Sequence, residues 1–314
     1  MRALKAFVAV SVMVLSSILV MPVLNAEIST CSESSTFFVD DDFNETVPGW
    51  NVTSFSSIQS AIDNASENDT IYVYNGIYNE NLVIDKPLNL TGEDNEETVI
   101  RSNFEGYVIW VNADNVHISN FKIVTDGLRP IIYVSGCDYV DINENRLFGD
   151  GTGLRLRDSS FNNIHENYFS GARISVYESN SNKITNNFFF DACISVSSSH
   201  NNEISQNEIK TVDTGILIDE NSYDNFISYN KMENCGFGIN IGGSGKNTIS
   251  YNDFISNKYF DAFILSSDCT WKHNYWGRSR ILPKIIFGLT GTRFVIDFDL
   301  NPAKTPNCDF GGDS

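Results

Sequence analysis

The sequence is short of positive charge. Its 314 residues include 21 Lys and Arg against 40 Asp and Glu, which gives a formal net charge of −19 at pH 7. Nucleic acids and anionic membrane surfaces carry the same sign of charge, so a chain of this composition is repelled by both. We therefore expect neither nucleic acid nor an anionic membrane as a partner.

Metal-binding motifs are also scarce. No two of the six cysteines form a CxxC pair, which argues against a zinc site. The four histidines take different offsets from the repeat described below, so no two neighbouring turns would place one histidine over another; they are His117, His165, His200 and His273. The acidic run Asp40–Asp42 follows an apolar segment and is interpreted as a solvated strand end. We expect no metal site and no cofactor.

Long apolar runs are missing after the first 26 residues. Residues 1–26 have the features of a secretory signal, with Arg2 and Lys5 before an apolar stretch and Ala26 at the end. Two alternatives stay open, an uncleaved membrane anchor and lipidation of Cys31. We predict a signal peptide over residues 1–26, a short linker over residues 27–36 and no further membrane span.

The dominant pattern in the chain is the repeat Asn-x-Ile-x-x-Asn, which returns every 20 to 24 residues. A fixed period in this range is typical of a stacked coil. The clearest copies are residues 182–187, 202–207, 225–230 and 247–252. Looser copies centre on Ile118, Ile142, Ile164 and Trp271.

Each repeat also contains a second apolar pair. Its members are two residues apart, the period of a strand with one buried face. The pairs are Ile132/Val134, Leu154/Leu156, Ile174/Val176, Ile194/Val196, Ile216/Ile218, Ile239/Ile241 and Phe263/Leu265. No repeat has room for a long helix, and Ser, Asn, Asp and Gly between the pairs suit turns. We predict an all-β parallel solenoid of roughly ten turns, about 4.8 Å apart.

The repeated asparagines are interpreted as structural. An Asn side chain can bond backbone groups at a turn, and amides on successive turns can stack into a hydrogen-bonded ladder. A row of sugar-binding amides is the alternative. The repeat asparagines are Asn145, Asn167, Asn187, Asn207, Asn230, Asn252 and Asn274.

Both ends of the solenoid are expected to be capped. Residues 56–65 place Ile58, Ala61, Ile62 and Ala65 on one helical face, so a short helix would cover the first turn. We assign residues 37–111 to the N-terminal cap and first turns, 112–277 to the repeats, and 278–314 to a C-terminal cap and tail. Within this cap, residues 281–302 are expected to be irregular.

Cysteines and glycosylation sequons fit an exported chain. An even number of cysteines permits disulfides, for example between Cys269 and Cys308, although buried free thiols are equally compatible with the sequence. Asn-x-Ser/Thr sequons all precede residue 92 and predict candidate glycosylation sites at Asn44, Asn51, Asn64, Asn68 and Asn89.

Three features together carry a family resemblance: the Asn-x-Ile-x-x-Asn turn, the N-terminal segment over residues 58–80, and Asn274-Tyr-Trp-Gly277. Over residues 37–307 the chain resembles the NosD-type right-handed parallel β-helix proteins of the pectate-lyase-like superfamily, especially exported archaeal ones. The resemblance implies the fold. The wider family contains pectate lyases, polygalacturonases, alginate epimerases and a periplasmic protein tied to copper delivery, so function depends on the site.

The resemblance implies that a site would lie on the outer face of one sheet. Aligning the second strands by their apolar pairs points Tyr133, Arg155, Arg157, Tyr177 and Asp219 outward, with Asp158 and Glu178 just past strand ends. Guanidinium groups bind carboxylates, tyrosine rings face sugars, and carboxylates hold Ca²⁺ or transfer protons. Tyr133, Arg155, Tyr177 and Asp219 are candidate ligand-binding residues, and Arg157, Asp158 and Glu178 are candidate catalytic residues. A solvated face with cross-turn ion pairs is the alternative.

We predict an exported or cell-surface monomer that is not an enzyme and binds polysaccharide or envelope glycan along the solenoid. A lyase or epimerase acting on acidic sugars, with Ca²⁺ as its cofactor, is the second hypothesis. An accessory protein for copper handling is the third.

Overall fold

Three short strands recur in each turn of the chain and stack on the equivalent strands of the next turn. The computed structural model describes residues 34–102, 106–127, 129–219, 221–265, 268–290 and 292–310. The predicted signal peptide, most of the linker and Cys31 lie outside the described residues. Within them the strands form a parallel β-solenoid of about ten turns with one short helix, which confirms the predicted fold.

We call the three stacks sheets A, B and C, in the order in which each turn visits them. Sheet A contains β1 (Thr36–Val39), β3 (Thr70–Val73), β6 (Asn89–Gly92), β9 (His117–Ser119), β12 (Asp141–Asn143), β14 (Asn163–His165), β16 (Lys183–Thr185), β19 (Glu203–Ser205), β22 (Phe226–Ser228), β25 (Thr248–Ser250) and β28 (Thr270–Lys272). The short strand β2 (Ser54–Phe55) also pairs with β1.

Sheets B and C share two long strands that continue through the corner between them. Sheet B contains β4 (Gly76–Asn79), β7 (Thr98–Ser102), β10 (Lys122–Thr125), the first parts of β13 (Arg146–Arg157) and β15 (Tyr168–Tyr177), β17 (Phe188–Phe190), β20 (Glu208–Lys210), β23 (Lys231–Glu233) and β26 (Asp253–Ile255). Sheet C contains β5 (Leu82–Ile84), β8 (Ile109–Val111), β11 (Ile132–Ser135), the second parts of β13 and β15, β18 (Ile194–Ser197), β21 (Thr214–Asp219), β24 (Phe237–Ile241), β27 (Phe260–Ile264) and β29 (Lys284–Thr290), which pairs with β30 (Arg293–Asp299).

The core is a set of apolar columns inside the solenoid. In sheet A, Ile164 lies in register with Ile184, and Ile184 with Ile204. All three are fully buried. Burying one such side chain contributes roughly 1.5–3 kcal/mol. Because the columns are continuous, each turn depends on its neighbours for its own core.

The last apolar pair of sheet C was predicted in the wrong register. Ala262 and Ile264 face the core, in line with Ile239 and Ile241, so Phe263 and Leu265 point outward. A shift of one residue reverses the face of every side chain in a strand. The outer surface at this end of sheet C is therefore apolar.

Buried asparagines form a continuous ladder beside sheet A. The Oδ1 of Asn207 accepts hydrogen bonds from the backbone N and the Nδ2 of Asn187, both at 3.0 Å. Its own Nδ2 donates to Ile184 O at 2.8 Å and to Asn230 Oδ1 at 2.9 Å. The same bonds join Asn145, Asn167, Asn187, Asn207, Asn230, Asn252 and Asn274.

Two further ladders lie nearby. One is formed by the first asparagine of each Asn-x-Ile-x-x-Asn motif, and the other by a serine that precedes the motif. The first asparagine of each motif forms a second amide ladder, which contains Asn162, Asn182, Asn202, Asn225 and Asn247. Serine hydroxyls form a third ladder, which contains Ser159, Ser179, Ser199, Ser222 and Ser244. These side chains satisfy backbone N–H groups that would otherwise be buried without a partner.

The N-terminal cap contains helix α1 (Ile58–Asn64), which buries Ile58, Ala61 and Ile62 against the first turns. Glu80 accepts hydrogen bonds from the Ile58 and Gln59 N–H groups, both at 2.9 Å. At the other end, Lys86 donates to the carbonyls of Ile62 and Ala65. An anion at the start and a cation at the end both complement the helix dipole. In the described part of the chain, no helix is long and apolar enough to cross a membrane.

The C-terminal cap is regular, which corrects the expectation of an irregular segment over residues 281–302. Strands β29 and β30 form an antiparallel hairpin, and Phe287 extends sheet C by pairing with Phe263. The prediction failed because β29 has apolar residues on both faces, which hides the alternation that marks a strand. In β30 the alternation is reversed, with apolar residues outward and Asp297 and Asp299 inward. The five described cysteines, Cys269 and Cys308 among them, are free thiols.

We predict that Asn207→Ala destabilises the protein by about 3 kcal/mol, because it leaves several buried polar groups of the ladder without partners. Urea unfolding of the wild type and the variant measures the loss. Asn240→Ala is the control, since Asn240 lies on the outer face of β24 and its Oδ1 has no hydrogen-bond partner among the described residues. Equal losses in the two variants would show that the ladder contributes nothing specific.

Candidate binding surface

The outer face of sheet C brings together most of the residues singled out in the sequence. Tyr133 lies beside Arg155 on the next strand, and Arg157 lies beside Tyr177 on the strand after that. We call these four residues the Tyr–Arg surface. Asp158 and Glu178 follow the strand ends, both in the left-handed backbone conformation. The six side chains therefore come from three consecutive turns.

Arg157 is held by two neighbours. Its Nε lies 3.4 Å from Asp158 Oδ2, and the Tyr133 side chain also lies close to it. The contact with Tyr133 and the negative charge of Asp158 both raise the pKa of Arg157. Arg157 is thus a fixed positive charge on the surface.

Arg155 is not neutralised by a carboxylate. Its guanidinium carbon lies 5.9 Å from the ring centre of Tyr177. Among the described residues it forms no ion pair, and its Nε is shielded from solvent without a hydrogen-bond partner. Lys231 of sheet B differs, because it lies 3.0 Å from both Glu208 and Glu233. No carboxylate of the described residues therefore competes with a ligand carboxylate for the guanidinium of Arg155.

Two aromatic residues extend this surface and were missed in the sequence. Tyr107 stacks on Tyr133 with ring centres 4.4 Å apart, and Trp110 lies 6.4 Å from Tyr107. Trp110 is in register with Tyr133 on the neighbouring strand. Aligning its flanking apolar residues, Ile109 and Val111, with Ile132 and Val134 would have found it.

The candidate carboxylates do not converge. Asp219 is separated from Tyr177 by Ser197, so it lies two strands away. Within the described ranges, the one group of three side chains close enough to share a metal ion is Asp40–Asp42. Asp40 accepts a hydrogen bond from the Asp42 N–H, and Asp41 accepts one from Ile77. We therefore see no prearranged Ca²⁺ cage at Asp158 and Glu178.

A second polar cluster lies on sheet A. His117 Nδ1 and His165 Nε2 each lie 3.1 Å from a different carboxylate oxygen of Asp141, which occupies the turn between them. Burial alone would raise the pKa of Asp141, but the hydrogen bond with His117 and the charge of His165 outweigh it and lower this pKa. The two histidines lie two turns apart with the carboxylate between them, so the expectation about histidines on neighbouring turns did not reveal the cluster.

The candidate glycosylation sites lie in the N-terminal part of the described chain. Asn44, Asn51, Asn64, Asn68 and Asn89 are all exposed. Exposure is required for glycosylation, but it does not show that a glycan is attached.

Comparison with known proteins gives a family and a fold. The family model described as "Periplasmic copper-binding protein (NosD)" matches residues 62–281. The structure of XylC with xylose is similar at a TM-score of 0.54 and 9% identity, over 84% of this chain and 73% of that one. Alginate lyase from Paenibacillus sp. gives 0.48 at 14% identity, over 77% and 95% of the two chains. Pectin methylesterase PemA from Erwinia chrysanthemi gives 0.34 at 13% identity, over 84% and 86%. No curated protein matches the sequence.

The described residues do not fit a copper centre, which needs several nitrogen or sulfur donors around one point. His200 stacks on Tyr223 and His273 on Tyr251, far along the chain from the Asp141 cluster. Burial raises the pKa of Cys137 and of Cys235 to about 11, and both thiols lie against backbone carbonyl groups, those of Ser135 and Glu233.

We predict that Asp141→Asn lowers the free energy of unfolding by about 0.5–1 kcal/mol at neutral pH, the range for a half-exposed ion pair. The folded-state pKa of Asp141 is lowered, so its contribution is present above the ordinary carboxyl pKa of about 3.9 and is lost as the pH falls through the folded-state value. Urea unfolding at a series of pH values measures this difference.

The control for this measurement is Asp85→Asn, because the exposed Asp85 makes only a 4.0 Å contact with Lys86. We expect a smaller stability difference for this variant. A loss for Asp141→Asn that stays constant down to the lowest pH would contradict a charge-based role.

Proposed function

Because the chain belongs to the NosD family of β-helix proteins, we propose that it is an exported, non-catalytic protein that binds an acidic polysaccharide on the outer face of sheet C. The observation that carries this proposal is the guanidinium of Arg155 between the tyrosines of the Tyr–Arg surface, where no carboxylate of the described residues neutralises it.

The chemistry of this surface suits a chain of uronic acids. A guanidinium binds a carboxylate through two parallel hydrogen bonds. Tyrosine rings offer an apolar face to a sugar ring and a hydroxyl to its polar edge. Because equivalent residues on successive strands repeat about every 4.8 Å, the surface presents these groups in a line along the solenoid. An extended polymer can follow such a line, whereas a small molecule would use only part of it.

Binding is favoured over catalysis because the carboxylate next to the Tyr–Arg surface, Asp158, is already paired. Asp158 is engaged in an ion pair with Arg157, and Asp219 lies two strands from Tyr177. A lyase on acidic sugars, with or without Ca²⁺, is the second candidate. It is favoured by the Tyr133 hydroxyl, which lies beside the cationic Arg157 and in its ionised form would accept a proton from a sugar ring.

Export is supported by sequence and by family. Residues 1–26 have the composition of a secretory signal, the five sequons are exposed, and the family description is periplasmic. We propose a location outside the cytoplasmic membrane, where envelope or extracellular glycans are available as ligands.

We predict that Arg155→Ala weakens binding to polygalacturonate or alginate oligosaccharides about tenfold or more, since a hydrogen bond to a charged group contributes roughly 1.5–3 kcal/mol. Isothermal titration with these oligosaccharides measures the affinity. Lys183→Ala is the matched control, because Lys183 is an exposed cation on the outer face of sheet A. It is expected to leave the affinity unchanged.

The same samples test the alternatives. Equal losses in both variants would indicate non-specific charge attraction and contradict the assigned surface. Absence of binding to every polyuronate would overturn the proposal. A rise in the ultraviolet absorbance of unsaturated products would replace it with the lyase, and Tyr133→Phe should then abolish that signal.

A further inference from the structure

The C-terminal hairpin exposes an unusually apolar face. Three cross-strand pairs of large apolar residues lie on one side of it, and all six side chains are exposed: Ile285 with Phe298, Phe287 with Ile296, and Leu289 with Phe294. We call these six residues the hairpin face. Phe294, next to the hairpin tip, is 79% exposed. Contiguous apolar surfaces of this kind mark interaction sites in folded proteins.

Capping the solenoid does not require this face. The residues on the opposite, inward face of the hairpin cap the solenoid: Ile286 is buried against the last turn, and Val295 packs against the core. Asp297 accepts a hydrogen bond from Trp271, and Asp299 accepts one from Trp276. The outward residues are therefore free of any role in closing the core.

The apolar surface also continues beyond the hairpin. Phe287 lies in register with Phe263 on the last turn of sheet C, on the same outer face. Before the hairpin, Ile281 and Leu282 are strongly exposed, at 91% and 76%. The apolar surface of the hairpin therefore continues onto the last turn of sheet C, and further exposed apolar residues precede it in the chain.

Positive charge also lies at this end of an otherwise acidic protein. Residues 278–300 contain four cations, Arg278, Arg280, Lys284 and Arg293, and two acids, Asp297 and Asp299. Lys284 is paired with Asp261 at 3.4 Å, which leaves the three arginines. Both acids are turned toward the last turn by the bonds to Trp271 and Trp276. Arg278 and Arg280 line a cleft of about 410 Å³ together with Ile281 and Leu282. The Nε of Arg280 has no hydrogen-bond partner in the part of the chain that the structure describes.

We propose that the hairpin face docks on an anionic phospholipid surface. The apolar side chains enter the boundary between headgroups and acyl chains, and the arginines contact lipid phosphates. A second copy of the chain is a poorer occupant, because it would bring the same cations face to face. This local surface departs from the expectation based on net charge. Charges beyond a Debye length of about 8–10 Å are screened, so the membrane senses the cap rather than the whole solenoid.

The test places an indole on the hairpin face of the full chain. Phe294→Trp and the control Phe226→Trp, an exposed outward position on β22, are each mixed with phosphatidylglycerol or phosphatidylcholine vesicles, with and without brominated acyl chains. We expect a blue shift and bromine quenching of the added emission for Phe294→Trp on phosphatidylglycerol, and neither for Phe226→Trp. Both proteins carry the same N-terminal segment, so this contrast does not depend on it.

The contribution of the arginines to vesicle binding is tested in the Phe294→Trp variant. Arg278→Ala and Arg293→Ala are each expected to weaken binding to phosphatidylglycerol vesicles about fivefold, since a basic residue near such a surface contributes about 1 kcal/mol. Equal quenching at both indole positions, or none at either, would overturn the proposal. It would also be overturned by a stable dimer that Phe294→Asp dissociates while vesicles cause no quenching.

Discussion

The structure depends on one repeated interaction, the acceptance of two hydrogen bonds by a buried asparagine oxygen from the asparagine one turn before. Each ladder amide must reach the same corner in every turn, or buried donors lose their partners. The number of residues between corners can still vary, with steps of 20 from Asn167 to Asn187, 23 from Asn207 to Asn230 and 22 from Asn230 to Asn252. Loops absorb the difference. The fixed corners keep the strands of all three sheets in register.

Because the inward positions serve the core and the corners serve the ladders, the outward positions are where the three sheets differ. Sheet B pairs charges on its outer face, as Lys231 does with Glu208 on the neighbouring strand and with Glu233 on its own. Sheet A ties two histidines to Asp141. Sheet C presents Arg155 without a counter-charge among aromatic rings. An unneutralised cation held by a rigid sheet is preorganised for an anionic ligand, which is why sheet C is the strongest candidate.

Periodicity predicted the fold and the placement of the Tyr–Arg surface, because a spacing of two records which face a residue occupies. The same signal failed where both faces are apolar. Residues 262–265 are four apolar residues in succession, so the two possible registers look alike and the larger pair, Phe263 and Leu265, was assigned to the core. Strand β29 was missed for the same reason, because Ile285, Ile286 and Phe287 are also consecutive. The Asp141 cluster needed knowledge that a carboxylate can join histidines two turns apart.

The end of the ladder explains why the cap has two such different faces. Asn274 is the last asparagine of the ladder, so its donors need an acceptor that is not an asparagine. One carboxylate oxygen of Asp299 accepts hydrogen bonds from the backbone N of Asn274, from the Nδ2 of Asn274 and from the indole of Trp276. A carboxylate accepts without donating, which suits the last position of a ladder. Once Asp299 fixes β30, alternation sends Asp297 inward and Phe298 and Ile296 outward. The residues on the inner face of the hairpin are thus required to end the asparagine ladder. The residues on the outer face have no such constraint, so their apolar side chains reflect a partner rather than the fold.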